Sequence, residues 1–157
     1  MSAPVLNRVV ADFKCQATGD QTVQLKALRG SNVVLYFYPK DATPGCTTEG
    51  QEFRDLHAKF RRLNTQIFGV SRDSLASHEK FREKHKFPFH LISDPDEKLC
   101  RQFDVIQEKS LYGRKFMGVE RSTFLIDASG KLRAEWRKLR VNGHAEEVLA
   151  AVKNCQG

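Results

Sequence analysis

The sequence predicts an α/β protein with a mixed central sheet, and three observations lead to that prediction. Apolar strand-like segments alternate with helix-like segments over much of the chain, which is typical of strand–helix–strand units. Ala128-Ser129-Gly130, between two apolar segments, predicts an antiparallel hairpin near the end. The 157 residues, 40% hydrophobic and 29% charged, predict one globular domain spanning residues 1–157.

The first part of the chain predicts a hairpin followed by a buried strand. Residues 12–16 and 22–25 alternate between apolar and polar side chains around Thr18-Gly19-Asp20, which predicts two antiparallel strands. The apolar run 32–38 predicts a buried strand. That strand is expected to end at Pro39, because proline cannot donate to a strand ladder.

The following elements are predicted from apolar spacing and from turn residues. A helix over residues 44–63 is indicated by apolar side chains at helical spacing, namely Phe53, Leu56, Phe60 and Leu63. The further predicted elements are a strand at 66–71, a helix from 75 that ends before Phe87-Pro88, a strand at 89–93, a helix at 97–103, strands at 123–127 and 132–136, and a helix at 144–154. This order is that of a thioredoxin-like fold.

Cys46 lies where the buried strand gives way to the first long helix. Thr43 has the character of an N-cap, and Pro44 suits the first helical position, where its missing N–H costs nothing. Cys46 is therefore expected in the opening turn, among N–H groups that favour an anionic thiolate. The pattern indicates a nucleophile. The alternative that spacing alone leaves open is a buried structural cysteine near a helix cap.

Two motifs carry a resemblance to a known family. Residues 37–47, FYPKDATPGCT, contain the pattern Pro39-x-x-x-Thr43-x-x-Cys46, and the blocks 109–115 and 118–127 match further downstream. The chain resembles the peroxiredoxins, in the bacterioferritin comigratory protein (peroxiredoxin Q) branch, over essentially its whole length. The resemblance implies a thioredoxin-like fold with an added N-terminal hairpin. It also implies a thiol-dependent peroxidase that reduces hydrogen peroxide and organic hydroperoxides through a Cys46 sulfenic acid.

The chemistry of peroxide reduction suggests roles for the residues around this cysteine. The Thr43 hydroxyl can both donate and accept, so we expect it to contact thiolate and peroxide together. Gly45 is expected to let the substrate approach the backbone, where N–H groups add preorganised donors. Pro39 is expected to exclude water from the sulfenic acid.

The resemblance also implies a cation and its partner. Arg121 matches the active-site arginine of the family, a role that charge alone would not assign among 26 basic residues. Glu49 matches an acidic position that orients this arginine. The alternative for Glu49 is a first-turn residue favoured only by the helix dipole.

The sequence departs from its relatives at the resolving thiol. Many members of this branch carry a second cysteine five residues after the first, where this chain has Gln51, and others carry it on the next helix, at residues 81–84 here, where no cysteine occurs. Cys15 and Cys100 are expected to be buried, and Cys155 to be the most accessible. The prediction is a one-cysteine peroxidase that depends on thioredoxin or on glutaredoxin with glutathione. The alternative is an atypical two-cysteine enzyme in which Cys100 or Cys155 resolves the sulfenic acid.

Other function classes are disfavoured by missing patterns. The net charge of +7 invites a nucleic-acid interpretation, but no recognition motif is present, and the late basic residues are interpreted as a solvated strand face. A basic rim that steers anions or acidic partners is a further use of that charge. The histidines share no metal-ligand spacing, and neither a CxxC pair nor a phosphate-binding loop occurs. No haem, metal or flavin is expected.

Further expectations concern location and assembly. Met1–Pro4 opens no signal peptide and no segment approaches a membrane span, so a cytoplasmic protein is expected, in a reducing compartment where four cysteines do not imply disulfides. A monomer is expected, because the chain stops soon after the last predicted helix. The competing function from another class is a redox-inert binding module or holdase on the same scaffold.

Overall fold

The computed structural model describes residues 3–155, so the part of the N-terminal expectation that concerns Met1 and Ser2 lies outside the described residues. The strands are β1 (Lys14–Ala17), β2 (Gln21–Gln24), β3 (Asn32–Phe37), β4 (Thr65–Ser71), β5 (His90–Ser93), β6 (Ile106–Leu111), β7 (Arg114–Val119), β8 (Ser122–Ile126) and β9 (Leu132–Arg137). The helices are α1 (Pro44–Arg62), α2 (Leu75–His85), α3 (Lys98–Gln102) and α4 (His144–Cys155), with a short 3-10 turn at Leu25–Leu28.

Seven strands form the central mixed sheet in the order β2-β1-β5-β4-β3-β8-β9. β3, β4 and β5 run parallel, whereas β8 is antiparallel to β3, and β9 to β8. β1 and β2 form the N-terminal hairpin, which joins the sheet through β5. The predicted α/β fold with a mixed sheet and an added hairpin is therefore confirmed. The predicted elements agree with the structure to within about two residues at each end, which is the usual scatter of element boundaries.

The central strand β3 is buried on both faces and supplies both hydrophobic cores. All six of its residues are buried. Successive side chains of a strand point to opposite faces, so Leu35 and Phe37 enter one core while Val34 and Tyr36 enter the other. The Tyr36 face is covered by α1, α2 and α4, and the Phe37 face by α3 and the segment after it. A strand that is apolar on both faces explains the continuous apolar run in the sequence.

Two features of the structure differ from the sequence expectation. β6 and β7 form a separate two-stranded hairpin whose turn, Tyr112-Gly113, has positive φ at both residues. Most of its side chains are exposed, so it lacks the buried face that an alternating pattern would reveal. The solvated interpretation of the basic strands is wrong for Arg137, because its guanidinium lies 5.0 Å from the centre of the Phe124 ring. Arg137 also donates to the carbonyls of Phe103 and Asp104.

The helices of residues 3–155 include none that combines the length and the apolar character needed to cross a bilayer.

Gly50 in α1 tests how closely this helix packs on the segment after α2. Alanine at an interior glycine gains about 1 kcal/mol of helix propensity. A Cβ at Gly50, however, would overlap Cζ of the buried Phe87 ring, and overpacking of a core costs typically about 1–3 kcal/mol or more. Steric cost should win, so we expect Gly50→Ala to lower the free energy of unfolding, measured by urea denaturation, by about 1–2 kcal/mol.

The control is Phe87→Leu, which removes the ring atom that the new Cβ would meet. The combined loss in Gly50→Ala/Phe87→Leu should be smaller than the sum of the two single losses, because the substitutions relieve one another. A Gly50→Ala protein that unfolds at higher urea concentration than wild type would contradict this packing account.

Candidate active site

Cys46 occupies the first turn of α1, at the carboxyl end of β3. β3 ends at Phe37, and a loop leads to Thr43, the N-cap residue, with Pro44 at the start of the helix. Cys46 follows in the opening turn and is only 1% exposed. The predicted strand–loop–helix arrangement around Cys46 is confirmed. N–H groups of the first turn have no intrahelical partner, so the sulfur lies where an anion is favoured.

The Thr43 hydroxyl differs from the sequence expectation. It donates to the Lys40 carbonyl at 2.8 Å and makes no side-chain cap bond to the helix. A hydroxyl has one proton and a carbonyl only accepts, so that proton is used within the loop. In this geometry the Thr43 oxygen offers only lone pairs to a substrate. The expected contact of Thr43 with thiolate and peroxide together remains a prediction.

Arg121 reaches the sulfur from the neighbouring strand. It immediately precedes β8, and Ser122 pairs with Phe37 at the carboxyl end of β3. Its Nη2 donates to the Cys46 sulfur at 3.3 Å, and its Nη1 donates to Oε1 of Glu49 at 2.6 Å. One guanidinium, 17% exposed, therefore bridges two residues of the first turns of α1.

Glu49 is a buried partner of this arginine rather than a solvated first-turn residue. Its side chain is 1% exposed, and its second oxygen has no hydrogen-bond partner among the described residues. Burial raises the pKa of Glu49 to about 7, against the opposing effect of Arg121. Burial alone would lower the pKa of Arg121, but the negative charges of Glu49 and Cys46 outweigh it and hold that pKa above its ordinary value.

Gly45 and Pro39 lie beside the same turn. A Cβ at Gly45 would come within 3.2 Å of Nη2 of Arg121. The glycine therefore makes room for the guanidinium, a reason different from the substrate approach that the sequence suggested. Pro39 is half-buried in the loop that leads from β3 to the helix.

The charge of Arg121 also acts on two further residues, to which sequence reasoning gave no role. His144, at the start of α4, is buried and contacts the Thr123 hydroxyl through Nε2 at 2.8 Å. Burial, with a smaller contribution from Arg121, lowers the pKa of His144 to about 4. Lys109 in β6 donates to the Val119 carbonyl at 2.6 Å, and burial together with Arg121 lowers its pKa. Neither residue has a local sequence signal, because both approach the site through the tertiary fold.

The other three cysteines lie away from this turn. Cys100 is buried in the core on the opposite face of the sheet, and Cys15 packs against that same core. Burial raises the pKa of Cys15 to about 11 and raises that of Cys100 further. Cys155 is on the correct face, but it ends the 12-residue helix α4, which begins near the site at His144. A helix of that length carries it about 17 Å away.

Comparison with known proteins gives consistent similarities. Residues 6–135 match the model of the AhpC/TSA family. Peroxiredoxin Bcp of Xanthomonas campestris pv. campestris is 51% identical over 142 residues, covering 90% of this chain and 89% of the relative. Peroxiredoxin Bcp of Bacillus subtilis is 49% identical over 143 residues, covering 91% of each.

Solved structures show the same relationship. A structure of Xanthomonas campestris peroxiredoxin Q has a TM-score of 0.89 at 49% identity and covers 92% of each chain. A cysteine-to-serine mutant of PrxQ from Xylella fastidiosa has a TM-score of 0.93 at 41% identity and covers 100% of each chain.

The raised pKa of Glu49 predicts a pH-dependent contribution to stability. A folded-state pKa near 7, against an ordinary value of 4.5, means that the folded protein binds more protons between these two pH values. Stability from this group therefore falls as pH rises from about 4.5 to 7, by an amount of the order of 3 kcal/mol. Glu49→Gln removes the titrating group. The free energy of unfolding of this variant, relative to that of wild type, should therefore increase as pH rises from about 4.5 to 7.

The measurement is urea denaturation of both proteins at pH 5 and at pH 8. Glu146→Gln, at an exposed position of α4, is the control for losing one carboxylate and should show no such growth. If the difference between wild type and Glu49→Gln is larger at pH 5 than at pH 8, the assigned direction of the pKa shift is wrong.

Proposed function

We propose, from the premise that this chain belongs to the AhpC/TSA family and is a thiol peroxidase of the peroxiredoxin Bcp type, that Cys46 is the thiol that reduces peroxide. The observation that carries the proposal is the bridge from Arg121 to the Cys46 sulfur and to Glu49. A redox-inert binding module or holdase has no need of a partly buried cation held against a thiol.

The proposed reaction uses the groups of the first helical turn. The Cys46 thiolate attacks the terminal hydroxyl oxygen of the peroxide, a sulfur–oxygen bond forms, and the oxygen–oxygen bond breaks. The departing oxygen takes up a proton and leaves as water or alcohol, and Cys46 is left as the sulfenic acid. Arg121, 3.3 Å from the sulfur, stabilises the negative charge that moves from sulfur to the leaving oxygen.

The remaining neighbours orient the peroxide for this attack. Thr43 accepts a hydrogen bond from the peroxide hydroxyl, since its own proton is held by Lys40. Unpaired N–H groups near Gly45 and Cys46 donate to the peroxide oxygens. Pro39 limits the access of water to the sulfenic acid. Glu49 holds the guanidinium plane in place through a 2.6 Å ion pair.

The distribution of thiols supports a one-cysteine mechanism. Cys15 and Cys100 pack with the core behind the sheet, and Cys155 lies at the far end of α4. A disulfide needs Cα atoms within about 7 Å of each other. An atypical two-cysteine enzyme with Cys100 or Cys155 as the resolving thiol would therefore require a large rearrangement, so we propose an external thiol instead.

Thioredoxin, or glutaredoxin with glutathione, is the proposed source of that thiol. Hydrogen peroxide and organic hydroperoxides are the proposed substrates. A similar structure, from Xanthomonas campestris bacterioferritin comigratory protein at 48% identity, is described in terms of alkyl peroxide reduction, which supports the second class. A single domain over residues 1–157, a monomeric state and a cytoplasmic location are further parts of the proposal, which rest on the sequence.

Peroxide consumption with dithiothreitol as reductant tests the function directly. Cys46→Ser should abolish turnover, because no other thiol lies in the opening turn of α1. Cys155→Ser is the matched control, because it makes the same substitution far from the site. This variant should retain nearly full activity. One equivalent of peroxide should leave a Cys46 sulfenic acid that a dimedone probe traps, as seen by mass spectrometry.

Two results would contradict this assignment. Substantial peroxidase activity in Cys46→Ser would remove Cys46 from the reaction. A non-reducing digest dominated by an intramolecular disulfide from Cys46 to Cys100 or Cys155 would overturn the one-cysteine mechanism while leaving the peroxidase itself intact.

The role of Arg121 predicts a large loss of rate. Arg121→Ala removes a preorganised donor to the reacting atoms, which typically costs about 100-fold or more in rate. Arg133, an exposed arginine on β9 paired with Asp127, provides the control, and Arg133→Ala should leave the rate of Cys46 oxidation by hydrogen peroxide nearly unchanged. Stopped-flow oxidation of the reduced proteins, with circular dichroism to verify folding, measures the effect.

If the oxidation rate of folded Arg121→Ala falls by less than about fivefold, the loss is much smaller than that expected when a transition-state donor is removed. That result would assign the stabilising charge to another residue.

A further inference from the structure

A buried carboxylate lies behind the loop that carries the proposed peroxide-binding residues. Asp41, in the loop between β3 and α1, is 6% exposed. Its Oδ1 accepts from the Tyr38 hydroxyl at 2.7 Å, and its Oδ2 accepts from the Ser77 hydroxyl at 2.8 Å. The same Oδ2 contacts Nδ1 of His78 at 2.7 Å. Side chains from the end of β3 and from α2 thus converge on one carboxylate.

The hydrogen bonds of His78 determine where its protons lie. The ring is fully buried, and its Nε2 faces the Ile92 carbonyl at 2.9 Å. A carbonyl only accepts, so Nε2 must carry a proton. Nδ1 contacts the Asp41 carboxylate at 2.7 Å, so a proton lies between the ring and the carboxyl group. His78 and Asp41 therefore form a buried hydrogen-bonded pair.

A metal site is the other interpretation of this group, and the hydrogen bonds argue against it. Ligand atoms of Asp41, Asp73 and His78 all lie within 4.8 Å of one another. Oδ2 of Asp73, however, accepts from the Asp41 backbone N–H at 2.9 Å and from the Ser71 hydroxyl at 2.5 Å. Both ring nitrogens of His78 are also engaged. The group is therefore a hydrogen-bonded clamp on Asp41, through its side chain and its backbone.

The clamp is continuous with Thr43. Lys40, the residue before Asp41, supplies the carbonyl that holds the Thr43 hydroxyl at 2.8 Å. Ala42, the residue after Asp41, has a φ of +64°, a conformation that costs a residue with a Cβ of the order of 1 kcal/mol and persists only where the surroundings impose it. Asp41 is thus fixed between the two residues whose conformation sets the direction of the Thr43 hydroxyl.

We propose that Asp41 and His78 are positioning residues for peroxide reduction, which hold Lys40 and Ala42 so that the Thr43 hydroxyl presents its lone pairs to a peroxide at Cys46. This inference rests on the proposed function. It assigns a role to a buried pair 37 residues apart in the sequence, with no contact to the reacting atoms. Its effect should appear in the reaction that needs Thr43 and not in reactions that need only the thiolate.

The test compares two reactions of Cys46 in His78→Gln. The two N–H donors of glutamine share one nitrogen, whereas His78 contacts Asp41 and the Ile92 carbonyl through two different ring nitrogens, so glutamine cannot reproduce both contacts and the clamp loosens. The rate constant for oxidation by hydrogen peroxide should fall by about 10- to 100-fold, the scale of a misplaced positioning group. Alkylation by iodoacetamide at the same pH should stay within about threefold of wild type, because it requires the thiolate and not the Thr43 hydroxyl.

His90→Gln is the matched control for loss of a hydrogen-bonded imidazole. His90 starts β5 and contacts the Thr18 hydroxyl at 2.9 Å, on the side of the sheet next to the N-terminal hairpin. Both rate constants should stay near those of wild type in this variant. Ser77→Ala, which removes one donor to Asp41 and keeps the His78 contact, should show the same divergence between the two reactions with a smaller amplitude, and it serves if His78→Gln does not fold.

Three results decide the proposal. A parallel fall of both rate constants in folded His78→Gln and Ser77→Ala would mean a merely structural role and would overturn it, as would an unchanged peroxide rate. Nitrogen-15 NMR of wild type should show a proton on Nε2 of His78, the nitrogen that faces the Ile92 carbonyl, and an unprotonated Nε2 would overturn the assigned hydrogen bonds of the clamp. The NMR result is independent of turnover, so it distinguishes failure of this inference from failure of the peroxidase assignment.

Discussion

The contact between Arg121 and the first turns of α1 is the interaction on which the site depends. A guanidinium that is 17% exposed would be costly to bury alone, and its partners offset that cost only because both Glu49 and the Cys46 sulfur face it. The three residues come together because β8 pairs with β3 in the register that places Ser122 opposite Phe37. A slip of one residue would direct the side chains of β8 to the other face of the sheet. Strand pairing therefore fixes the electrostatics of the sulfur.

The central sheet also separates the thiols. A sheet buried on both faces divides the protein into two cores, and the cysteines are divided between them. Cys46 is the thiol held at the carboxyl edge of the parallel strands, where open α/β sheets place their ligands. Cys15 and Cys100 are shielded by burial, which disfavours their thiolates. The arrangement favours a reductant that arrives from solvent at the opening turn of α1.

Local rules recovered the parts of this structure that are locally determined. The apolar run of β3, Pro44 at the start of α1 and the Gly130 turn were predictable from the sequence because each depends on neighbours within a few residues. The pairing of Arg121 with Glu49 came only through family resemblance, since 72 residues separate them. The direction of the Thr43 hydroxyl and the contact of His78 with Asp41 have no local sequence signal. They follow from tertiary packing.

Two side-chain pairs thus support the same turn from different sides. Arg121 and Glu49 hold it from β8, and His78 and Asp41 hold the preceding loop from α2. Buried pairs of this kind add little net stability, because desolvation cancels much of their attraction. What they supply is a fixed direction for each hydrogen bond, and a strained residue such as Ala42 can persist between them only under that constraint. The geometry around Cys46 is therefore determined by polar groups that the fold holds in pairs, and both pairs fix the shape of the peroxide-binding loop.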